Sequence, residues 1–250
     1  MWKYVDDTTM SEVIQRSQNS DLQRLVDDLS RQVAINGFQL NEGKCKELRI
    51  SFSRSPPDFD PIVVNSKELE CVHKAKMLGV TFSVDLKWNA HVEEIMKKVN
   101  KRLYFLRQLK RAQVKSKELV LFYLTCIRSV MEYACALFHS SLPQYLSVDL
   151  ERCQKRALRT FPDKEYDEAL ACTGLISLHE RRENIANKLF SNALVPGHKL
   201  HKLLPPRNAS RVDLRKKHAF NLPVVRTDRC RNSFIFYHSR MLCQKLTFIA

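Results

Sequence analysis

Apolar positions near the start of the chain recur at helical spacing. Between residues 19 and 36 they fall on one side of a helical wheel, at Leu22, Leu25, Val26, Leu29 and Val33. This spacing predicts an amphipathic helix that packs on one face. Asn19 or Ser20 is its predicted N-cap, because a short polar side chain can accept hydrogen bonds from the first backbone N–H groups. Gly37 is its predicted terminator.

After this helix the pattern changes to the alternation that is typical of a strand. Apolar and polar residues alternate over residues 45–53, which predicts a half-buried strand. Further short β-type runs follow, and together they predict a small sheet rich in hairpins. These runs cover residues 61–65, 68–72 and 76–83.

Beyond Trp88 the apolar spacing becomes helical again. Helices are predicted from Val92 to Leu109, over residues 119–138 and over residues 146–161. Apolar segments are too short to predict a membrane span, and the N-terminus lacks the pattern of a signal peptide, so the protein is expected to be intracellular. The predicted fold class is α+β, with the hairpins first and the helices after them.

Positive charge is concentrated on the predicted helices. The 250 residues contain 42 Lys and Arg against 27 Asp and Glu, a formal net charge of +15. Between residues 95 and 162 the numbers are 14 against 4, which favours a surface that follows nucleic-acid phosphates over a merely solvated polar face. The residues predicted to contact nucleic acid here are Lys97, Lys98, Lys101, Arg102, Lys110 and Arg111.

The cysteines and histidines do not predict a metal site. The eight cysteines stand singly, without the C-x₂-C spacing of a zinc site or a redox motif. They are predicted to be reduced thiols, most of them in the core. The closest histidine pair, His198 and His201, has no cysteine near it, whereas a structural zinc ion needs four ligands.

Two adjacent carboxylates near the start, Asp6 and Asp7, are the candidates for chemistry. They follow Tyr4 and Val5. Polymerases use carboxylates to hold Mg²⁺ ions that activate a 3′-hydroxyl and stabilise the leaving pyrophosphate, and a tight turn with two aspartates offers such ligands. Taken alone, an Asp-Asp pair is more often only a turn.

The order of the motifs that follow resembles that of the reverse transcriptases of non-long-terminal-repeat, LINE-type retrotransposons. The tetrapeptide Tyr4-Val5-Asp6-Asp7 resembles the family's Y/F-x-D-D turn. Residues 37–46 resemble its G-x-x-L-N-x-x-K-T-K motif, with Cys45 in place of a small hydroxyl residue. Residues 76–80 and 85–92 resemble its Y-L-G-V and D-L-x-W-x-x-H-V segments, and further similar blocks extend to Phe236.

This resemblance implies RNA-directed DNA polymerisation by an α+β fold, with a truncated palm followed by a mainly α-helical thumb. Asp6 and Asp7 would bind Mg²⁺, and Lys44 would face the nucleotide triphosphate unless it is a plain surface lysine after a turn. Leu78 and Gly79 would bring the backbone close to the primer, or would form an ordinary strand bulge.

The same resemblance divides the chain into a partial palm at residues 1–90, a thumb-like region at 91–195 and a basic extension at 196–250. The fingers and an upstream palm carboxylate would be missing, so the chain is expected to be inactive alone. The expected partners are an RNA template, an RNA–DNA hybrid and deoxynucleotides, and no membrane. The alternatives are a non-catalytic nucleic-acid-binding protein that uses the basic helices and a purely structural helical module, which the positive charge disfavours.

Overall fold

The computed structural model describes residues 1–15, 18–160, 165–208 and 219–248. By spatial clustering the chain forms two units, unit 1 at Met1–Ala90 and unit 2 at His91–Ala250. Unit 1 contains short strands and one long helix, and unit 2 is helical. Residues 91–195 and 196–250, which were predicted to be separate regions, lie in the same unit.

The strands of unit 1 are short and pair in twos. In the described part of the unit they are β1 (Trp2–Tyr4), β2 (Asp7–Thr9), β3 (Lys46–Glu47), β4 (Val63–Val64), β5 (Lys67–Glu68), β6 (Glu70–Cys71), β7 (Lys74–Met77) and β8 (Val80–Ser83). The pairs β1–β2, β4–β5 and β7–β8 are antiparallel, and β3 pairs with β6 in parallel.

Two of the hairpins close through turns with left-handed backbone at both central residues. In the β4–β5 turn, Asn65 and Ser66 have φ angles of 50° and 62°, and in the β7–β8 turn, Leu78 and Gly79 have 46° and 83°. This geometry is typical of a type I′ turn, whose twist matches that of the flanking strands. The prediction of one strand over residues 76–83 is therefore wrong, because the chain folds back in the middle of that run.

The strand predicted for residues 45–53 is reduced to β3. Beyond Glu47 the backbone of this run is irregular. The guanidinium of Arg49 donates to the Glu47 carboxylate at 2.7 Å and to the carbonyls of Phe59 and Asp60 at 2.7 and 3.0 Å. Alternation predicts two faces, but it does not provide the neighbouring strand that a hydrogen-bonded ladder requires.

The predicted helix of unit 1 is confirmed as α1 (Leu22–Ile35). The N-cap residue is Asp21, whose side chain makes no capping hydrogen bond, so the prediction of Asn19 or Ser20 as the N-cap is wrong, although the Ser20 hydroxyl accepts from the backbone N–H of Leu22 at 3.2 Å. Gly37 follows the helix with a φ of 73°. The buried side chain of α1, Val26, packs in a small core with Ile62 and Val64. Partly buried residues surround this core, namely Met10, Leu22, Leu40 and Leu69.

Helices of very different lengths make up unit 2. In the described residues they are α2 (Asn89–Arg111), α3 (Ser116–Phe122), α4 (Ser129–Glu132), α5 (Cys135–Phe138), α6 (Gln144–Leu158), α7 (Tyr166–Thr173), α8 (Leu178–Ala193), α9 (Asp228–Arg231) and α10 (Phe234–Phe248). Helix α2 confirms the helix predicted after Trp88, and α6 confirms the third predicted helix, whose expected end at Phe161 lies outside the described residues.

The helix predicted for residues 119–138 is interrupted twice. A π-helical segment, Tyr123–Arg128, joins α3 to α4, and Ala134 has a φ of 52° between α4 and α5. The buried apolar stripe continues from α3 through the π-helical segment into α4. Its residues follow one another at intervals of four. They are Leu119, Tyr123, Ile127 and Met131.

The helical stretch Ser116–Ser141 is long and apolar enough to cross a membrane by length and composition. This corrects the expectation that the apolar segments are too short for a span. A core helix has the same length and composition, and Leu119, Tyr123, Ile127 and Met131 of this stretch are buried.

A buried polar network joins α6 to its neighbours. The Gln154 side chain, 1% exposed, accepts from the Tyr123 hydroxyl at 2.5 Å. Its amide donates to the Tyr166 hydroxyl at 2.8 Å and to the Ile176 carbonyl at 3.0 Å. One amide thereby connects the π-helical segment, α7 and the approach to α8.

The start of α8 is held by two oxygen acceptors. The Glu151 carboxylate accepts from the backbone N–H groups of Leu178 and His179, both at 3.0 Å. The Ser177 hydroxyl accepts from the N–H of Glu180 at 3.2 Å. An anionic group and an N-cap hydroxyl both stabilise the positive end of a helix, so these contacts fix α8 against α6.

Candidate nucleic-acid interface

Helix α2 has one buried face and one exposed face. Three and four residues separate its buried side chains, which are His91, Val92, Ile95, Val99, Leu103 and Leu106. Side chains at this spacing share one side of a helix, so the opposite side faces solvent. Neighbouring elements hold α2 in place, because Arg156 of α6 donates to Asn100 at 2.9 Å and Arg102 donates to the carbonyl of Cys126.

The exposed residues of α2 carry much of the local positive charge. Within the described part of the chain, five exposed cations of this helix make no ion pair with an acidic side chain. They are Lys98, Lys101, Arg107, Lys110 and Arg111. Cations that lack an acidic partner are available to phosphate, so Lys98, Lys101, Arg107 and Arg111 form a candidate phosphate-binding surface. Lys110 follows Leu106 by four residues and therefore lies on the same side of α2 as the buried residues, at the exposed end of the helix.

Two of the residues predicted to contact nucleic acid already have partners within the chain. Lys97 lies 3.6 Å from the Glu93 carboxylate and 3.4 Å from that of Glu94, and its hydrogen bond to Glu94 raises the pKa of Lys97. The guanidinium of Arg102 is only partly exposed and donates to the carbonyl of Cys126. The charge available on α2 is therefore that of the other four predicted residues, with Arg107 in addition.

Two aromatic residues on the exposed side of α2 are missing from the sequence-based prediction. Tyr104 and Phe105 are 56% and 57% exposed. They follow Lys101 by three and four residues and fall outside the buried spacing of Leu103 and Leu106, which is the signal that could have found them. Aromatic side chains interleaved with basic ones are typical of surfaces that bind nucleic-acid strands.

The Asp-Asp pair lies at the tip of the β1–β2 hairpin. Tyr4 pairs with Asp7, which leaves Val5 and Asp6 as the turn, and Val5 has a φ of 54°. Both aspartates are exposed, so the predicted exposed turn is confirmed. The first strand of this hairpin is β1.

Asp6 and Asp7 do not by themselves fit a magnesium centre. In the part of the chain that the structure describes, no group of three or more His, Cys, Asp or Glu side chains could hold a metal ion. Mg²⁺ prefers six oxygen ligands in octahedral geometry, of which two side-by-side carboxylates supply a minority. Lys44 is exposed in a separate turn, where its backbone N–H donates to the Asn41 carbonyl at 3.0 Å. We derive no metal-dependent step from these residues.

The other predicted site residues of unit 1 occupy a turn. Leu78 and Gly79 form the tip of the β7–β8 hairpin, and Leu78 is 47% exposed. These two residues therefore form a hairpin turn, and the alternative of a strand bulge is wrong. Trp88, for which the sequence favours a packing role over a base-stacking one, is partly buried with its ring centroid 6.0 Å from that of Phe82.

A partly buried cluster in unit 2 combines a serine with basic side chains. Arg182 is 0% exposed and donates through Nη2 to the Ser147 hydroxyl at 2.8 Å. That hydroxyl lies 3.3 Å from Nδ1 of His179, whose ring is 5.0 Å from that of His139. Glu151 binds the backbone N–H of His179 and not its ring. The cluster therefore lacks the carboxylate–imidazole contact that orients a base for nucleophilic catalysis.

A family model described as alkylated DNA repair protein alkB homolog 8, N-terminal, matches residues 88–129. The matched residues run from Trp88 through α2 and α3 into the π-helical segment. This is well under half of the chain, so the match does not establish membership of that family. No curated protein and no solved structure matches the chain.

This match corrects the resemblance to retrotransposon reverse transcriptases. The matched family is an alkylated DNA repair protein, and the match includes residues 88–92, the second half of the D-L-x-W-x-x-H-V segment. The assignments to a reverse transcriptase, an RNA-directed DNA polymerase and a LINE-type element are therefore wrong. Short motifs such as Y-x-D-D and L-G-V contain few fixed residues, so they also arise in turns of unrelated chains.

Proposed function

We propose that this chain is a non-catalytic nucleic-acid-binding protein that holds RNA on the exposed face of α2. The observation that carries the proposal is the set of exposed cations on α2 that lack an acidic partner, on a helix whose opposite face is buried. The name of the matched family, an alkylated DNA repair protein, agrees with a nucleic-acid partner at that coarse level.

We propose that the free energy of binding is mainly electrostatic. Each phosphate that a lysine or arginine neutralises releases condensed counterions, so the affinity falls as the salt concentration rises. The logarithmic salt slope is about −0.7 per phosphate contact for a single strand and about −0.9 for a duplex. At about 1.5 Å per residue, the ten steps from Lys101 to Arg111 extend over about 15 Å, enough to contact several phosphates.

The test is the salt dependence of RNA binding by the full chain. Fluorescence anisotropy with an RNA of about 20 nucleotides, at several concentrations from about 50 to about 200 mM KCl, gives the slope. If Lys101, Arg107 and Arg111 each contact a phosphate, the triple variant Lys101→Ala/Arg107→Ala/Arg111→Ala flattens the slope by about two units on a single strand.

The matched control removes the same charge from unit 2 outside α2. Lys188, Lys199 and Arg226 are exposed, and we expect their triple alanine variant to keep the slope of the unchanged protein. If both triple variants flatten the salt slope equally, the effect comes from net charge alone, which would contradict the proposal. Failure of the unchanged protein to bind at about 50 mM salt would also contradict it.

The finer expectation of an RNA template or an RNA–DNA hybrid becomes a further arm of the titration. A hybrid of the same length presents phosphates without free base faces, so we expect it to bind α2 with a salt slope that the same triple variant flattens. If the triple variant flattens the salt slope for RNA but not for the hybrid, the hybrid binds to another surface.

A further inference from the structure

The two aromatic rings on α2 are arranged so that they leave flat surfaces open. The ring centroids of Tyr104 and Phe105 lie 5.7 Å apart with the planes at 71°, an edge-to-face pair. In such a pair one ring covers one face of the other, which leaves the remaining three faces uncovered by the partner ring. Both side chains are more than half exposed.

Cations lie on both sides of these rings along the helix. Lys101, Tyr104 and Arg111 are separated by three and seven residues, a spacing that places them on one side of α2. Along the axis, Lys101 is about 4.5 Å before Tyr104 and Arg111 about 10 Å after it. A base that stacks on the rings would therefore have its neighbouring phosphates beside positive charge.

A role in the core of unit 2 does not explain these rings. Leu103 and Leu106, which flank them in sequence, are 1% and 0% exposed and point into the core. Large aromatic side chains contribute to folding when their area is buried. Two rings that are more than half exposed contribute little buried area to folding. Their exposed area is therefore free for a ligand.

We propose that Tyr104 and Phe105 stack against unpaired bases, so that α2 prefers single-stranded nucleic acid to a duplex. This inference rests on the proposed function and adds the class of ligand. In a duplex the base faces are covered by their neighbours, whereas every unpaired base offers a flat face to an aromatic ring. Stacking is tolerant of sequence, so the preference concerns strandedness and not base identity.

The test compares three probes of equal length on the full chain: oligouridine, an abasic strand with the same phosphates and an RNA duplex. Stacking contributes roughly five-fold or more in affinity per base. We expect the unchanged protein to bind oligouridine about ten-fold or more tightly than the abasic strand. The variant Tyr104→Leu/Phe105→Leu should bring this ratio close to one and leave the salt slope unchanged, because leucine keeps the helix and removes the flat ring.

Tyr145 of α6 provides the matched control, since it is 55% exposed. Met96 contacts Cys153 and Asn100 contacts Arg156, so α2 and α6 run in the same direction. Tyr145 lies 11 residues before Arg156, which is about 16 Å along α6 from the contact with Asn100, toward the start of the helices. Tyr104 follows Asn100 and so lies beyond the same contact, toward their ends. We expect Tyr145→Leu to keep the ratio of the unchanged protein.

The outcomes separate the stacking inference from the proposed function. If every probe binds equally and Tyr104→Leu/Phe105→Leu changes no ratio, while the triple basic variant still flattens the salt slope, stacking is wrong and the phosphate contact stands. If no probe binds, both are wrong. Oligothymidine in place of oligouridine tells whether the ligand is RNA alone or any unpaired strand. Should the double variant unfold by circular dichroism, Tyr104→Leu and Phe105→Leu singly carry the same comparison.

Discussion

Units 1 and 2 differ in how firmly they hold their exposed functional candidates. In unit 1 the strands pair only in twos among the described residues, and the core around Val26, Ile62 and Val64 is small. In unit 2, α2 buries Val99, Leu103 and Leu106 almost completely. A charged face needs a rigid support to act as a surface, and α2 has that support.

The same difference separates the two sequence signals for function. Asp6 and Asp7 form an exposed hairpin tip whose carboxylates lack enough neighbouring ligands for a metal centre within the described residues. The exposed cations of α2 share one helix that the core orients. The lesson is that residues typical of a catalytic motif do not make a site unless the fold brings partners to them.

The largest expected effect comes from truncating the buried face of α2. Leu103 is 1% exposed, so Leu103→Ala should lower the free energy of unfolding of unit 2 by about 2–5 kcal/mol, because it removes buried area and leaves a cavity. Urea denaturation followed by circular dichroism measures this. In unit 1, Leu25 of α1 is 42% exposed, so Leu25→Ala should cost less than about 1 kcal/mol. Equal losses of unfolding free energy in the two variants would contradict this difference between the units.

The second largest loss of stability is expected from a change in the Gln154 network. Gln154→Leu removes a buried acceptor of the Tyr123 hydroxyl, and loss of a buried hydrogen-bond partner costs about 1–3 kcal/mol. Gln144→Leu at the exposed start of the same helix is the control, with an expected change within about 0.5 kcal/mol. Both are measured by denaturant unfolding. A Gln154 variant as stable as the control would mean that the network does not hold α6.

Acid should weaken unit 2 through His139. Burial, and then the positive charges of Arg182, His179 and His238, lower the pKa of His139 from 6.5 to about 4. The unfolded chain therefore takes up the proton first as the pH falls, so this contribution is complete above pH 6.5 and declines between pH 6.5 and about 4. We expect a loss on the order of 1–2 kcal/mol after solvent screening.

The variant His139→Gln isolates this contribution from the protonation of carboxylates. Thermal melts at pH 7 and about pH 4.5 should show a smaller loss of stability for the variant than for the unchanged protein. An identical pH dependence of the two proteins would remove His139 from the account.

The smallest effect concerns the N-cap of α8. Ser177→Ala removes the acceptor of the Glu180 N–H and should cost about 1 kcal/mol. The matched change in unit 1 is Ser20→Ala at the start of α1, where the hydroxyl accepts from Leu22 N–H. We expect this second change to leave the melting of unit 2 unaltered, and a shift of that transition would contradict the division into two units.

The helices could be predicted from sequence because their signal lies within one segment. The buried residues of α2 and the end of α1 before Gly37 are set by local spacing and local chemistry. Strand pairing depends on segments far apart in sequence, as in the parallel pair of Lys46 with Glu70. The alternation at residues 45–53 therefore predicted a longer strand than the chain forms.

The candidate interface was predicted in part, for a similar reason. Counting charge located the basic helix, but it did not reveal that Lys97 has acidic neighbours and that Arg102 is turned to a backbone carbonyl. These contacts depend on side-chain direction and on a neighbouring segment. Tyr104 and Phe105 were missed because apolar residues beside a buried stripe are easily counted as core, and the structure exposes them.

Cross-linking of the full chain to an oligonucleotide that carries 4-thiouridine tests the central claim most directly. After irradiation and digestion, mass spectrometry identifies the peptides bonded to RNA. If α2 is the binding surface, cross-links should concentrate in Asn89–Arg111, near Tyr104 and Phe105, and disappear in the triple variant Lys101→Ala/Arg107→Ala/Arg111→Ala. Cross-links confined to unit 1, or left unchanged by that variant, would contradict the account.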